Sequence, residues 1–231
     1  MIIYFTILMN TELSITALFY LTYQFIFILS SKFLKLSKRN NIHVASKINS
    51  CINASFAVYY SVSYLCGFNK IEDMEQYVLI LRGYLIYDLI NISYNYQHFD
   101  WATTLVHHIS LFGASYVNLY DNSNTYYFAR GMIGELTNFF LYFGWFLLKF
   151  NMDKTKIFKT NAYVLIILFF IVRASNYTLL LCEIIQSETL LIILPVLILS
   201  SLNNYWFYKL VQKGFEMKTT NQITFSTEER Y

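Results

Sequence analysis

The sequence predicts an all-α fold, a polytopic membrane bundle of about seven transmembrane helices. Hydrophobic residues make up 56% of the 231 residues and charged residues only 13%, whereas soluble domains carry roughly 25% charged residues. Apolar runs long enough to cross a bilayer recur along the chain and leave no room for a soluble domain. A formal charge of +3 is too small to indicate nucleic-acid binding.

The predicted spans differ in polarity and in the connections between them. The second span carries several Asn and Ser residues, so we expect it to pack inside the bundle. Tyr96–Asp100 is predicted as a tight turn, Asp121–Asn124 as a loop, and the residues from Lys213 onward as a disordered polar tail. The predicted spans are Leu13–Phe33, Ile48–Phe68, Gln76–Tyr94, Trp101–Leu119, Tyr126–Leu148, Thr160–Cys182 and Thr189–Leu210.

Lysine and arginine concentrate on one side of this arrangement. Thirteen of them flank the spans on the side of the carboxyl terminus, only Lys70 lies opposite, and three more fall within or at the edge of spans. Because basic residues mark the cytoplasmic side, we expect a non-cytoplasmic amino terminus and a cytoplasmic carboxyl terminus. The amino-terminal apolar stretch lacks a basic segment and a cleavage site, which predicts a retained span. A bridge between Cys66 and Cys182 is one alternative, but small apolar packing residues are the favoured interpretation.

Three ionisable residues of the third and fourth spans are expected at the same depth. Asp88 lies near the cytoplasmic end of the third span, roughly 10 Å below the surface, and His107 and His108 reach a similar depth in the fourth. Spans joined by a short turn are antiparallel neighbours, so Asp88 and one histidine should come within hydrogen-bond reach. The other histidine should face the bundle axis, because adjacent helical residues diverge. The pair is either a base with its orienting carboxylate or a polar contact that joins two helices.

A second pair is expected near the middle of the membrane. Glu135 lies in the fifth span and Arg173 at a matching depth in the sixth, so an ion pair between them is the structural reading. Arg82, nearer the outer leaflet, is an alternative partner for Glu135. Gly131 and Gly134 would allow another helix to approach closely. Adjacent histidines are poor geometry for one ion, so we expect no metal site.

These residues resemble, in order and spacing, the TLC-domain family, which includes ceramide synthases and smaller TLC-domain membrane proteins. The resemblance covers roughly residues 45–210, which divides the chain into a first span and basic linker (1–44), a six-helix TLC-like domain (45–210) and a polar tail (211–231). The similar stretches are Gly83–Leu89, Asp100-Trp101, His107-His108, Gly134–Leu141 with Trp145, and Arg173.

The family implies a lipid-handling protein of the endoplasmic reticulum or a related membrane. In ceramide synthases the histidine pair works with a later His-Asp-x-Ser-Asp stretch, and this chain instead reads Gly134-Glu135-Leu136-Thr137-Asn138 there. That departure favours binding or regulation of membrane lipids over acyl transfer from acyl-CoA. A transporter or receptor is a weaker reading, because no internal repeat is evident. The candidate catalytic residues are Asp88, His107 and His108, the candidate lipid-binding residues are Tyr84, Glu135, Asn138 and Arg173, and no cofactor is expected.

Overall fold

A computed structural model describes residues 2–120, 122–186 and 190–220, and within these ranges the chain forms helices and no strand. Seven helical rods follow one another, which confirms the predicted all-α bundle. The rods are α1 Ile2–Phe33, α2 Lys38–Leu65, α3 Ile71–Tyr94, α4 Trp101–Tyr120, α5 Asn122–Lys149, α6 Lys156–Gln186 and α7 Leu190–Thr220.

Several helices extend beyond the predicted spans. Helix α2 begins at Lys38 and not near Ile48, because the Ser37 side chain caps it by accepting from the backbone N–H of Asn40 at 3.3 Å. Helix α7 continues to Thr220, since no proline follows Leu210 to stop it. The prediction of a disordered tail from Lys213 onward is therefore wrong for residues 213–220, which are helical. Residues 221–231 lie outside the described part.

The connections on either side of α4 are short 3₁₀ turns. Tyr96–His98 forms one between α3 and α4, where the tight turn was predicted. Asn122–Asn124 forms the other at the start of α5, within the predicted loop, whereas Asp121 lies outside the described residues. Both connections are too short for anything but antiparallel packing of the helices that they join.

Two rods change helical type at the depth of the predicted ion pair. Helix α5 passes through a 3₁₀ segment at Ile133–Glu135, and α6 passes through a π-helical segment at Phe169–Ser175. The two irregular segments contact each other. A Cβ at Gly134 would lie only 3.2 Å from Cγ of Arg173 and 3.5 Å from the carbonyl oxygen of Val172. This confirms the predicted close approach of another helix to this glycine.

The polar second helix packs inside the bundle, as predicted. Its buried Asn49 donates to the backbone carbonyl of Phe19 on α1 at 2.9 Å. Ser50 and the Tyr84 hydroxyl on α3 are hydrogen-bonded at 2.8 Å. Buried polar groups need such partners, so α2 binds α1 and α3 through polar contacts as well as apolar ones.

An ion pair also joins α1 to α3. Glu12 on α1 lies 2.6 Å from Nε of Arg82 on α3, and each side chain is 11% exposed. The Arg82 guanidinium also lies 4.4 Å from the ring centre of Phe112 on α4. The alternative pairing of Arg82 with Glu135 is therefore wrong. Helix α1 begins at Ile2 and not at Leu13, so Glu12 lies within the helix and not before it.

The outside of the bundle suits lipid. Large apolar residues such as Leu21 and Phe25 on α1 are 64% and 62% exposed. In the described residues, three helical stretches are long and apolar enough by composition to cross a membrane: Met9–Phe33, Asn122–Lys149 and Lys156–Gln186. The chain is therefore an integral membrane protein. Its Cys66 and Cys182 are both exposed free thiols, so the alternative of a bridge is wrong.

Candidate functional site

A cavity of about 380 Å³ lies inside the bundle, between helices α2 to α7. Apolar side chains such as Leu81, Leu85, Leu111, Leu141 and Phe169 form much of its wall. Two other depressions, beside α1 and between α5 and α6, lie on the outside and contain none of the predicted site residues. The cavity brings together all seven of them: Tyr84, Asp88, His107, His108, Glu135, Asn138 and Arg173.

Asp88 on α3 and His108 on α4 form the contact expected from their depth. Nε2 of His108 lies 2.8 Å from Oδ2 of Asp88, although the N–H bond is poorly aligned with the oxygen. Nδ1 of His108 lies 2.8 Å from the backbone carbonyl oxygen of Thr104, one turn earlier on α4. Both charged partners are almost fully buried, at 5% and 6% exposure. His108 is therefore the histidine that faces the third helix.

The two contacts of His108 occupy both of its ring nitrogens. The Thr104 carbonyl can only accept, so Nδ1 carries a hydrogen and donates it. Nε2 lies against Oδ2 of Asp88. Both nitrogens therefore face oxygen atoms of the protein, and His108 is not the histidine that is open to a ligand.

His107 points elsewhere and keeps an unpaired ring nitrogen. Its ring centre lies 5.3 Å from that of Trp206 on α7, edge to face, and 5.7 Å from that of His108. In the described part of the chain, Nδ1 of His107 and Oδ1 of Asp88 are buried without a hydrogen-bond partner. Leaving a buried polar atom unpaired costs about 1–3 kcal/mol. Both atoms are covered by protein, but their side chains line the cavity, where a ligand with a polar group is favoured.

In the Glu135–Arg173 pair, by contrast, other side chains of the protein already form hydrogen bonds with the polar atoms. Nη2 of Arg173 donates to Oε1 of Glu135 at 3.1 Å and to the Asn138 side-chain oxygen at 3.0 Å. Nη1 donates to Asn203 on α7 at 3.3 Å, and the Asn138 amide donates to the other Glu135 oxygen at 2.6 Å. The predicted ion pair is therefore formed, and its polar atoms are engaged with one another across α5, α6 and α7.

Two α7 residues at or beside the cavity were not predicted from the sequence: Trp206, which lines it, and Asn203, which does not. Asn203 contacts Arg173, and Trp206 packs on the ring of His107. They are three residues apart, so they share a face of the helix. An Asn and a Trp on one face of a membrane helix were the available signal. For a metal, no three His, Cys, Asp or Glu side chains converge in the ranges that the structure describes.

A family model described as the TLC domain, shared by the TRAM, LAG1 and CLN8 proteins, matches residues 11–212. The match extends from α1 to α7 and includes every residue of the cavity wall except Lys213. No curated protein and no solved structure matches the chain significantly.

Proposed function

The chain belongs to the TLC-domain family, a family of membrane proteins linked to lipid biology, and from this membership we propose that it binds a membrane lipid in the cavity between α2 and α7. Its role is then lipid homeostasis or trafficking. We place it in the endoplasmic reticulum or a related membrane, with the amino terminus non-cytoplasmic and the carboxyl terminus cytoplasmic.

The observation that carries this proposal is the combination of an apolar wall with unpaired polar atoms. The cavity volume of about 380 Å³ lies within the usual range of small-molecule sites, roughly 300–1,000 Å³. Leu81, Leu111 and Phe169 offer apolar contacts to an acyl chain. His107 and Asp88 also line the cavity, and each has a polar atom without a partner in the described residues, which supports contact with a polar headgroup or linkage. A lipid has both kinds of surface.

The test is to fill the cavity and measure the lipid that co-purifies. Leu141 lines the cavity yet is 40% exposed, so Leu141→Trp should occupy cavity volume without overpacking a closed core. Leu179 is 57% exposed and does not line the cavity, which makes Leu179→Trp the matched control. Mass spectrometry of the purified chain should find bound lipid in the wild type and the control and a loss of severalfold or more in Leu141→Trp. Equal lipid in all three proteins would contradict the proposal.

A second candidate function, acyl transfer, is favoured by His107, which lines the cavity and keeps a ring nitrogen without a hydrogen-bond partner in the described residues. In that reaction His107 takes the proton from a hydroxyl or amine group of the lipid. The oxygen or nitrogen of that lipid group attacks the carbonyl carbon of an acyl-CoA thioester. The carbon–sulfur bond then breaks, and the proton passes to the departing thiolate. His108, which contacts Asp88, would pack beside His107, whereas Glu135 is already engaged by Arg173. This engagement is one reason to rank acyl transfer second.

Acyl transfer is tested with the purified chain in lipid, labelled acyl-CoA, and sphingoid-base or lysolipid acceptors. Turnover that falls at least about 100-fold in His107→Ala, with the protein still folded, supports a base at this position. His108→Ala should also lose turnover, because the packing beside His107 changes. Turnover in the wild type that His107→Ala leaves unchanged would exclude this mechanism, and no turnover at all would leave lipid binding as the function to test.

A further inference from the structure

Lysine residues from two helices line one end of the cavity. Lys47 lies on α2, before Ser50 and Asn53, which line the cavity deeper in the helix. Lys209 and Lys213 lie on α7, four residues apart and so on one face of the helix. We call these three residues the lysine rim. All three belong to basic segments whose position in the sequence predicts the cytoplasmic side.

The charge of the cavity wall is unbalanced. Its lining contains the three rim lysines and Arg173 but only two acidic residues, Asp88 and Glu135. Each of these carboxyl groups already contacts a cationic or proton-sharing partner, His108 in one case and Arg173 in the other. Neither carboxyl group forms an ion pair with Lys47 or Lys209.

Lys47 is held in place by aromatic rings and not by an acid. Its ammonium lies 4.9 Å from the ring centre of Tyr142 and 5.0 Å from that of Trp145, both on α5. Among the described residues, no acidic side chain is within ion-pair distance of Lys47 or Lys209. A partly buried ammonium favours the approach of an anion, and the aromatic contacts keep this one at the cavity entrance.

We propose that the lysine rim binds the phosphate of an acyl lipid whose chain enters the cavity. The inference rests on the proposed lipid binding and adds the chemical class of the ligand. A lysine ammonium is a compact point charge that commonly binds phosphate. The apolar side chains beyond the rim, such as Leu85 and Leu111, would contact the acyl chain. A phospholipid carries its phosphate close to the acyl chains, and an acyl-CoA carries phosphates that the pantetheine arm separates from its acyl chain.

The test compares probes with the same acyl chain, with and without phosphate. The full chain in a non-ionic detergent is titrated with oleoyl lysophosphatidate, oleoyl-CoA and monooleoylglycerol. The variant Lys47→Gln/Lys209→Gln removes two rim charges. The control Lys154→Gln/Lys159→Gln removes two exposed lysines of the same predicted side that do not line the cavity.

The expected result is a selective loss. In the rim variant, phosphate-bearing lipid should bind about tenfold more weakly or worse, while monooleoylglycerol binds within twofold of the wild type and so reports an intact cavity. The control variant should bind all probes as the wild type does. A loss confined to lysophosphatidate assigns the rim to a phospholipid, and a loss confined to oleoyl-CoA assigns it to acyl-CoA.

Two results overturn the inference in different ways. If the neutral and phosphate-bearing probes bind equally well and the rim variant changes neither, the rim does not recognise phosphate, although lipid binding itself stands. If the wild type binds none of the three probes, the proposed lipid binding fails together with the inference.

Discussion

Nε of Arg173 donates to the backbone carbonyl oxygen of Gly134 at 2.9 Å, so a side chain of the π-helical segment of α6 binds the backbone of the 3₁₀ segment of α5. The remaining nitrogens of the guanidinium reach Glu135, Asn138 and Asn203. One arginine thus joins three helices beside the cavity. π-Helical turns often occur at functional sites, and here the turn carries the residue that fixes the cavity wall.

Replacing Arg173 alone should destabilise the protein strongly. Arg173→Leu leaves the buried Glu135 carboxylate without its cation, and breaking a buried pair in this way typically costs about 3–5 kcal/mol. Thermal unfolding in detergent measures the loss as a lower midpoint. The double variant Arg173→Leu/Glu135→Leu removes both charges and should recover part of the stability. A double variant less stable than Arg173→Leu would contradict the reading of this pair as an internal structural anchor.

Asp88 and His108 should be energetically coupled, whereas Asp88 and His107 should not. In a double-mutant cycle with alanine at Asp88 and His108, the coupling free energy should be about 1 kcal/mol or more, as for residues in direct contact. The cycle of Asp88 with His107 serves as the control and should be additive within about 0.5 kcal/mol. Unfolding of the single and double variants gives both values. Equal coupling in the two cycles would show that the histidines do not have separate roles.

The contact of α1 with α3 should not tolerate a methyl group at Gly83. A Cβ there would lie 2.5 Å from Cγ2 and 2.7 Å from Cβ of Ile15, closer than real contacts allow. Gly83→Ala should therefore cost about 1–3 kcal/mol of stability by overpacking, and adding Ile15→Ala should relieve part of that cost. Gly113→Ala is the control, since its Cβ would meet only Cγ of Pro195 at 3.6 Å. A similar midpoint for the two glycine variants would count against this packing.

The orientation can be tested with a native cysteine. Cys66 is an exposed free thiol at the end of α2, on the side predicted to be non-cytoplasmic. In sealed microsomes whose cytoplasmic face is outward, a membrane-impermeant maleimide should label it only after permeabilisation. The test protein carries Cys51→Ser and Cys182→Ser, and the control adds Cys66→Ser and Lys154→Cys, which should be labelled at once. Labelling of Cys66 without permeabilisation would reverse the orientation.

The fold could be predicted from the sequence, and so could those residues of the site that are recognised by their depth in the membrane. Asp88, His108, Glu135 and Arg173 are ionisable groups in apolar spans, and their distances from the span ends sufficed to pair them. The partner of Arg82 was missed because Glu12 was placed outside the first span. The closed hydrogen bonding of Arg173 could not be foreseen either, since it depends on the π-helical and 3₁₀ segments. The division of the chain at residues 44 and 210 stays a prediction, and the family match itself begins at residue 11.

The ion pair between Glu12 and Arg82 has a consequence for how the chain enters the membrane. Ribosomes release α1 before α3, so the carboxylate of Glu12 is already in the bilayer when Arg82 arrives. Inserting an arginine at the centre of a lone helix costs about 2.5–3.5 kcal/mol. The carboxylate of Glu12, already in the membrane, reduces that cost. The order of synthesis therefore favours α1 as the helix that receives α3, which makes the amino-terminal helix an aid to the biogenesis of the bundle and not only its outer layer.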